Sequence, residues 1–177
     1  LVKKGIPAIL IPGILFAGIY GIKSISKINN YYQSEKMFPK SGIVAEVEDG
    51  DTFELATGHK VRMIGINAPD RGKEDYEESK GVIEALKNKK VWLEYDRYQD
   101  DKYGRILAWV WIGCETDNPK MLPADYMHLS GNESREYVTK NPEGCEKGEL
   151  LNKRMILNGL AETVNYEKRG RLKYKLD

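Results

Sequence analysis

Histidine and cysteine are scarce in this chain, with two of each among 177 residues. A four-cysteine zinc site is therefore impossible, and there are too few histidines to build a His-rich metal centre. Cys114 and Cys145 bracket an acidic stretch. They either close it as a disulfide in an oxidising compartment or stand as two unrelated thiols, and only their separation in the fold decides. His59 and His128 fall in surface or loop contexts and are assigned no role. Surplus charge is also missing, since 28 basic side chains face 27 acidic ones. The balance is uneven along the chain. Residues 1–40 carry six lysines and one acid, Glu35, which leaves 22 basic against 26 acidic side chains in residues 41–177. The acidic excess sits in residues 115–149, with four basic and eight acidic side chains. A protein that grips polyanions with a blanket basic surface is thereby excluded. Any anionic ligand must be held by locally placed Arg and Lys, helped by a bound cation.

One long apolar run is present. Gly5–Ile22 has no charged residue and follows Lys3 and Lys4. Its eighteen residues lie at the short limit for a spanning helix of ~20 residues. They exceed the ~7–15 residues of a signal-peptide core, and no clear cleavage motif follows. The run is apolar on every face, which argues against a core helix. A signal-anchor or transmembrane helix over residues 1–23 is the first expectation, with a polar tether over 24–40. The protein is then membrane-anchored with its domain extracytoplasmic, or secreted if the segment is cleaved. Pro7 and Pro12 are tolerated near the start of such a helix and in membranes.

From Ser41 onward the pattern changes to short strands. Ile43, Ala45 and Val47 alternate with Val44, Glu46 and Glu48, the period of a strand. Asp49-Gly50 then predicts a tight hairpin whose two central residues both have positive φ. Thr52–Ala56 resumes the alternation, Thr57-Gly58-His59 makes a turn, and Lys60–Ile66 reads as a third strand. A helix fits Asp75–Asn88, with Val82, Ile83 and Leu86 on one side. Val91–Tyr95 and Ile106–Ile112 follow as strands, and Leu150–Asn158 as a helix stopped at Gly159. Five strands with a helix after the third and another after the fifth predict a small closed Greek-key barrel with helices, an α+β domain over residues 41–177. Trp92, Trp109 and Trp111 lie in strands and read as packing residues. Arg62 breaks an otherwise apolar strand, and a charge there requires a neutralising partner, either a structural carboxylate or an anionic ligand.

Three stretches carry a resemblance. V-E-D-G-D-T-F-E-L (47–55), V-R-M-I-G-I-N-A-P-D (61–70) and D-D-K-Y-G-R-I-L-A-W (100–109) resemble, in order and spacing, the signature segments of the staphylococcal nuclease, or thermonuclease, family. L-N-K-R-M-I-L-N-G-L-A (151–161) resembles the helix and turn that follow. The likeness spans residues 41–114 and 150–176, with 115–149 as an acidic insertion. It implies a five-stranded OB-fold of the staphylococcal nuclease type, preceded here by the hydrophobic N-terminal helix. It also implies a metal-dependent endonuclease that hydrolyses DNA and RNA with Ca²⁺ and leaves 3′-phosphates. Asp51 matches the first metal ligand, beside Thr52. Asn67 stands where a second carboxylate ligand is expected, and Ala68 where a backbone carbonyl reaches the metal. Asp70 occupies the place of a Glu that assists the attacking water. Arg62 and Arg105 match the two arginines on the scissile phosphate, and Lys102 and Tyr103 the residues beside the nucleotide's outer phosphate. The family's final helix is missing here or reduced to Leu172–Leu176.

This residue set also makes chemical sense without the family. A phosphodiester repels nucleophiles through its own charge, so catalysis means neutralising its oxygens while orienting a water in line. The arginine fork donates two parallel hydrogen bonds to phosphate, and a hard cation on oxygen ligands polarises the same group. Two departures fall within the set. Asn67 removes a full negative charge, and Asp70 is one methylene shorter than Glu. A slow nuclease, or one of altered metal preference, is the leading reading. A nucleic-acid-binding domain that has lost hydrolysis is the second. A membrane-anchored interaction protein working through residues 115–149 is the third. The partners expected are DNA or RNA and the membrane, with no obligate protein partner. The run Lys168–Lys175 is expected as a solvated face, and Tyr166 as the nearest match for a nucleoside-stacking tyrosine.

Overall fold

A computed structural model describes residues 36–96, 99–121, 140–164 and 172–176. In chain order its elements are β1 (Ser41–Val47), β2 (Thr52–Leu55), β3 (Lys60–Met63), β4 (Ile66–Asn67), α1 (Tyr76–Glu84), β5 (Lys90–Glu94), β6 (Ile106–Ile112), β7 (Glu149–Leu150), α2 (Leu151–Leu157) and β8 (Glu162–Thr163). The strands run in the order β3-β2-β1-β5-β6-β7, and β3 also pairs with β6, which closes a five-stranded barrel. The closing pair is parallel, with Val61 opposite Ile106, Arg62 opposite Leu107 and Met63 opposite Ala108. All other ladders are antiparallel. The expected barrel with helices is therefore present.

Alternation builds the interior. Val44, Phe53, Leu55, Val61, Met63, Val91, Leu93 and Val110 are buried together. β5 and β6 are buried on both faces, because residues 172–176 lie across their second face. There Tyr174 packs edge-on to Trp109 and Trp111 at 5.2 and 5.6 Å. The three tryptophans are packing residues, as expected.

Several boundaries move, each for a physical reason. The β1–β2 hairpin forms, but neither Asp49 nor Gly50 has positive φ. The loop is wider than a two-residue turn, with the Glu48 and Asp49 amides both donating to the Thr52 carbonyl at 3.0 and 3.2 Å. Gly50 is required for space instead. A Cβ there would sit 1.8 Å from Ser79 Oγ and 2.8 Å from the Ala68 side chain. The expected third strand breaks at Gly65, whose φ of +79° ends the ladder, so Ile66 and Asn67 pair with β8 instead. α1 stops at Glu84 and unwinds through turns to Asn88, itself at φ +63°.

The end of the tether is part of the domain. Phe38 is buried, the Pro39 carbonyl accepts from Tyr95 Oη at 2.7 Å, and the Lys40 carbonyl accepts from the Leu93 amide at 2.8 Å. The insertion is anchored at both ends. Cys114 and Cys145 are joined in a disulfide, and Glu149 already belongs to β7, opposite Ile112. Where it is described, the C-terminal run is only partly a solvated face, since Lys175 is exposed but Lys173 is not. Lys173 is buried with its ammonium on Glu94, and Tyr174 Oη donates to Glu94 at 2.8 Å. The apolar N-terminal segment, most of the tether, residues 122–139 and Tyr166 lie outside the described residues. Among the described residues no helix is long and apolar enough to cross a membrane.

Candidate active site at the barrel rim

Asp51 enters the rim from the β1–β2 loop. Its own amide donates to Asp49 Oδ1 at 3.0 Å, and its carbonyl accepts from the Met63 amide at 2.8 Å. The carboxylate, whose side chain is 5% exposed, is engaged on both oxygens. Oδ1 accepts from Thr52 Oγ1 at 2.9 Å, and Oδ2 accepts from the Ala68 amide at 2.6 Å. Arg62 completes the arrangement, with Nη1 3.0 Å from Asp51 Oδ2. The same guanidinium donates to the Met63 carbonyl at 3.0 Å and to Asn67 Oδ1 at 3.1 Å. The charge inside the apolar third strand therefore has its counter-charge. Asp51, Arg62 and the adjacent pair Asn67 and Ala68, from three points in the sequence, form one bonded group.

Burial pushes the Asp51 carboxyl up from 3.8 to about 6, against the opposing pull of Arg62 and of the Ala68 amide. A carboxylate this costly to ionise is one that a bound cation would relieve. The oxygen donors on hand are the Asp51 carboxylate, the Asn67 amide oxygen and the Ala68 carbonyl, all hard ligands of the kind Ca²⁺ takes. Among the described residues no three His, Cys, Asp or Glu side chains cluster as a metal-holding group. The donor set thus fits a hard cation in kind while supplying a single full charge.

Arg105 stands in a second cluster. It lies one residue before β6, two before the partner of Arg62 in the closing ladder. Its side chain is tied to Asp101, with Nε and Nη2 both 2.7 Å from Oδ2. Asp101 Oδ1 accepts from the Tyr103 and Arg105 amides at 2.9 and 3.1 Å. Partial burial would raise the Asp101 carboxyl, but these hydrogen bonds from Arg105 and the two amides prevail and hold it below its ordinary value. Tyr103 is 70% exposed, with Lys102 Nζ 4.9 Å and Arg105 Cζ 5.3 Å from its ring centroid. An exposed ring beside two cations is the kind of surface on which a nucleotide base can stack.

Asp70 is exposed and lines a cleft of about 420 Å³ that opens beside Asn67 and Ala68, with Lys73, Glu74 and Glu162 among its walls. The two arginines are thus held by different carboxylates, and Asp70 faces the cleft beside the Asp51 group. Three contributors are not evident from composition or spacing of the site residues themselves. Asp49 orients the Asp51 backbone, Asp101 holds Arg105, and Ser79, buried against Gly50, donates to the Leu160 carbonyl at 2.9 Å. The D-x-x-x-R spacing was a usable signal for the second; the others depend on the fold.

A closed OB-type barrel with a carboxylate, a guanidinium and carbonyl oxygens gathered at its rim defines the structural class. Residues 60–176 match the family described as staphylococcal nuclease homologue. The chain belongs to that family. It is 36% identical over 121 residues to the thermonuclease of Staphylococcus intermedius, covering 58% of this chain and 72% of that protein. With the thermonuclease of Staphylococcus hyicus it shares 40% identity over 88 residues, covering 44% of this chain and 52% of the relative.

Proposed function

We propose that this domain is a nuclease that hydrolyses DNA or RNA phosphodiesters with a divalent cation, Ca²⁺ first, to 3′-phosphate products. The observation that carries the reading is the Arg62 guanidinium, fixed inside an apolar strand between Asp51 Oδ2 and Asn67 Oδ1 at 3.0 and 3.1 Å. Three of its five N–H donors are engaged by Met63, Asp51 and Asn67, and these hold the remaining two, on Nε and Nη2, in a fixed orientation for a phosphate. Asp51, Asn67 and the Ala68 carbonyl would hold the cation, which when bound polarises the phosphate and favours an ionised water. Arg105 supplies a second fork once it turns from Asp101, and Lys102 and Tyr103 hold the neighbouring nucleotide. Asp70, in the adjoining cleft, accepts the proton of the attacking water. The relatives named thermonuclease support this assignment. The Cys114–Cys145 disulfide supports an oxidising compartment, and with the apolar run Gly5–Ile22 an extracytoplasmic, membrane-held domain.

The purified protein, incubated with single-stranded DNA or RNA and Ca²⁺, is expected to cut both. Cutting should stop with chelator and in Arg105→Ala, and the products should carry 3′-phosphate ends. Tight binding with no cutting under any of Ca²⁺, Mn²⁺ or Mg²⁺ would refute hydrolysis and favour a binding domain.

A further inference from the structure

The turn that carries Asn67 and Ala68 is held from behind, by residues the proposed chemistry does not use. The Ile64 amide donates to the Ala108 carbonyl at 3.0 Å, and the Gly65 carbonyl accepts from the Val164 amide at 2.9 Å. Ile66 and Asn67 pair with Thr163 and Glu162. A Cβ on Gly65 would meet Leu172 and Leu176 side chains at 3.0 and 3.2 Å, so the C-terminal segment packs against the bare backbone of the turn. One of these attachments is a fully buried polar side chain, Asn152, at 0% exposure on α2. Its Oδ1 accepts from the Val110 amide at 2.9 Å, and its Nδ2 donates to the Ile64 carbonyl at 2.8 Å. A single amide thus spans from the middle of β6 to the first residue of the turn.

We propose that Asn152 is a positioning residue for the rim site, fixing the height of the 64–68 turn above β6. That height sets whether the Ala68 amide stays on Asp51 at 2.6 Å and Asn67 Oδ1 stays on Arg62 at 3.1 Å. An amide suits the place because it offers one acceptor and one donor on opposite sides of a rigid plane. Aspartate keeps the acceptor for Val110 but, when ionised, sets a carboxylate against the Ile64 carbonyl, so at high pH the strand side holds while the turn side is pushed away, and protonation at low pH restores the donor. Burial makes the effect local and strong, since an unpaired buried carbonyl recovers nothing from water.

The proposal rests on the nuclease reading only in calling the rim catalytic, and its first test needs no activity. Native-state hydrogen exchange on the full chain compares the Ala68 amide with those of Val44 and Leu93, which bond elsewhere in the barrel. In Asn152→Asp, protection at Ala68 is expected to fall at least ~10-fold more than at those two amides. Tyr95→Phe, which removes a bond to Pro39, should lower Ala68 and Val44 together. Turnover in Asn152→Asp should drop up to ~10²-fold, as for a displacement near 1 Å, with KM little changed. An Ala68 amide that loses protection only in step with the whole barrel would overturn the proposal. Asn152→Ser, which retains a hydroxyl for one partner, serves if the aspartate variant does not fold. Wild-type exchange at rising denaturant decides if neither folds. Ala68 and Val110 should then open in one step, and a separate, smaller opening at Ala68 would refute the coupling. A wild-type protein that cuts nothing while showing that shared step would sink the nuclease reading and leave this inference standing.

Discussion

Replacing Asp51 by asparagine should stabilise the protein while abolishing its activity, and the gain should depend on pH in a defined way. The folded chain holds the Asp51 proton up to about pH 6, whereas the unfolded chain releases it near 3.8. Between those values the folded state binds more protons than the unfolded one, so wild-type stability falls as pH rises through the window and levels above it. At ~1.4 kcal/mol per pH unit, the cost of ionising Asp51 in the cation-free protein reaches at most about 3 kcal/mol. Asparagine never incurs it. The amide oxygen can still accept from Ala68, and its NH₂ can donate to Thr52 Oγ1, so the two bonds at 2.6 and 2.9 Å have replacements. Arg62 loses its counter-charge, which offsets part of the benefit. A net gain of ~1–2 kcal/mol is expected at pH 8 in the presence of chelator. Urea unfolding of both proteins at pH 3.5, 5 and 8 measures it. The two midpoints should nearly coincide at pH 3.5, separate by pH 5 and stay apart at pH 8. Saturating Ca²⁺ should then narrow the gap, because the cation stabilises the wild-type carboxylate alone. An Asp51→Asn protein that is less stable at pH 8, or whose difference from wild type ignores pH, refutes the reasoning.

Three further outcomes follow from the same geometry. Asn67→Asp places a second full charge beside the proposed cation position and should lower the half-saturating Ca²⁺ concentration for cleavage about 10-fold; an unchanged value would show that Asn67 serves Arg62 alone. Gly50→Ala drives a methyl to 1.8 Å from Ser79 Oγ, and should cost ~1–3 kcal/mol in chemical denaturation while lowering activity through displacement of Asp51. Reducing the Cys114–Cys145 disulfide, which closes a span of 31 residues, should cost about 3–4 kcal/mol of stability by loop entropy while leaving cleavage by the still-folded protein within ~2-fold of its oxidised rate.

What the sequence revealed and what it hid divide along physical lines. β6 is legible to the residue, because Ile106–Ile112 is an unbroken apolar run bounded by Arg105 and Gly113. Arg62 was legible for the opposite reason, as a charge that an apolar strand cannot hold without a partner, and Asp51 supplies that partner at 3.0 Å. Asp49-Gly50 has the local pattern of a turn former, whereas the constraint on Gly50 is the approach of Ser79 from a helix almost thirty residues away. No local pattern encodes such a contact. The basic run at the C-terminus misled because Lys173 looks solvated by composition, whereas its ammonium is neutralised by Glu94, 79 residues earlier in the chain. Long lysine stems bury readily when the head finds a carboxylate. Asn152 was invisible for a related reason, since an asparagine on a short helix announces nothing until its two backbone partners are known.

The measurement closest to the central claim is single-turnover cleavage of a defined oligonucleotide by wild type and by Arg62→Ala, each with Ca²⁺ and with chelator, alongside substrate binding in chelator. Wild type is expected to cut with Ca²⁺ only, and Arg62→Ala to cut at least ~10²-fold more slowly despite binding within a few-fold of wild type. Cleavage that persists in chelator, or an Arg62→Ala protein that cuts as fast as wild type, would contradict that claim.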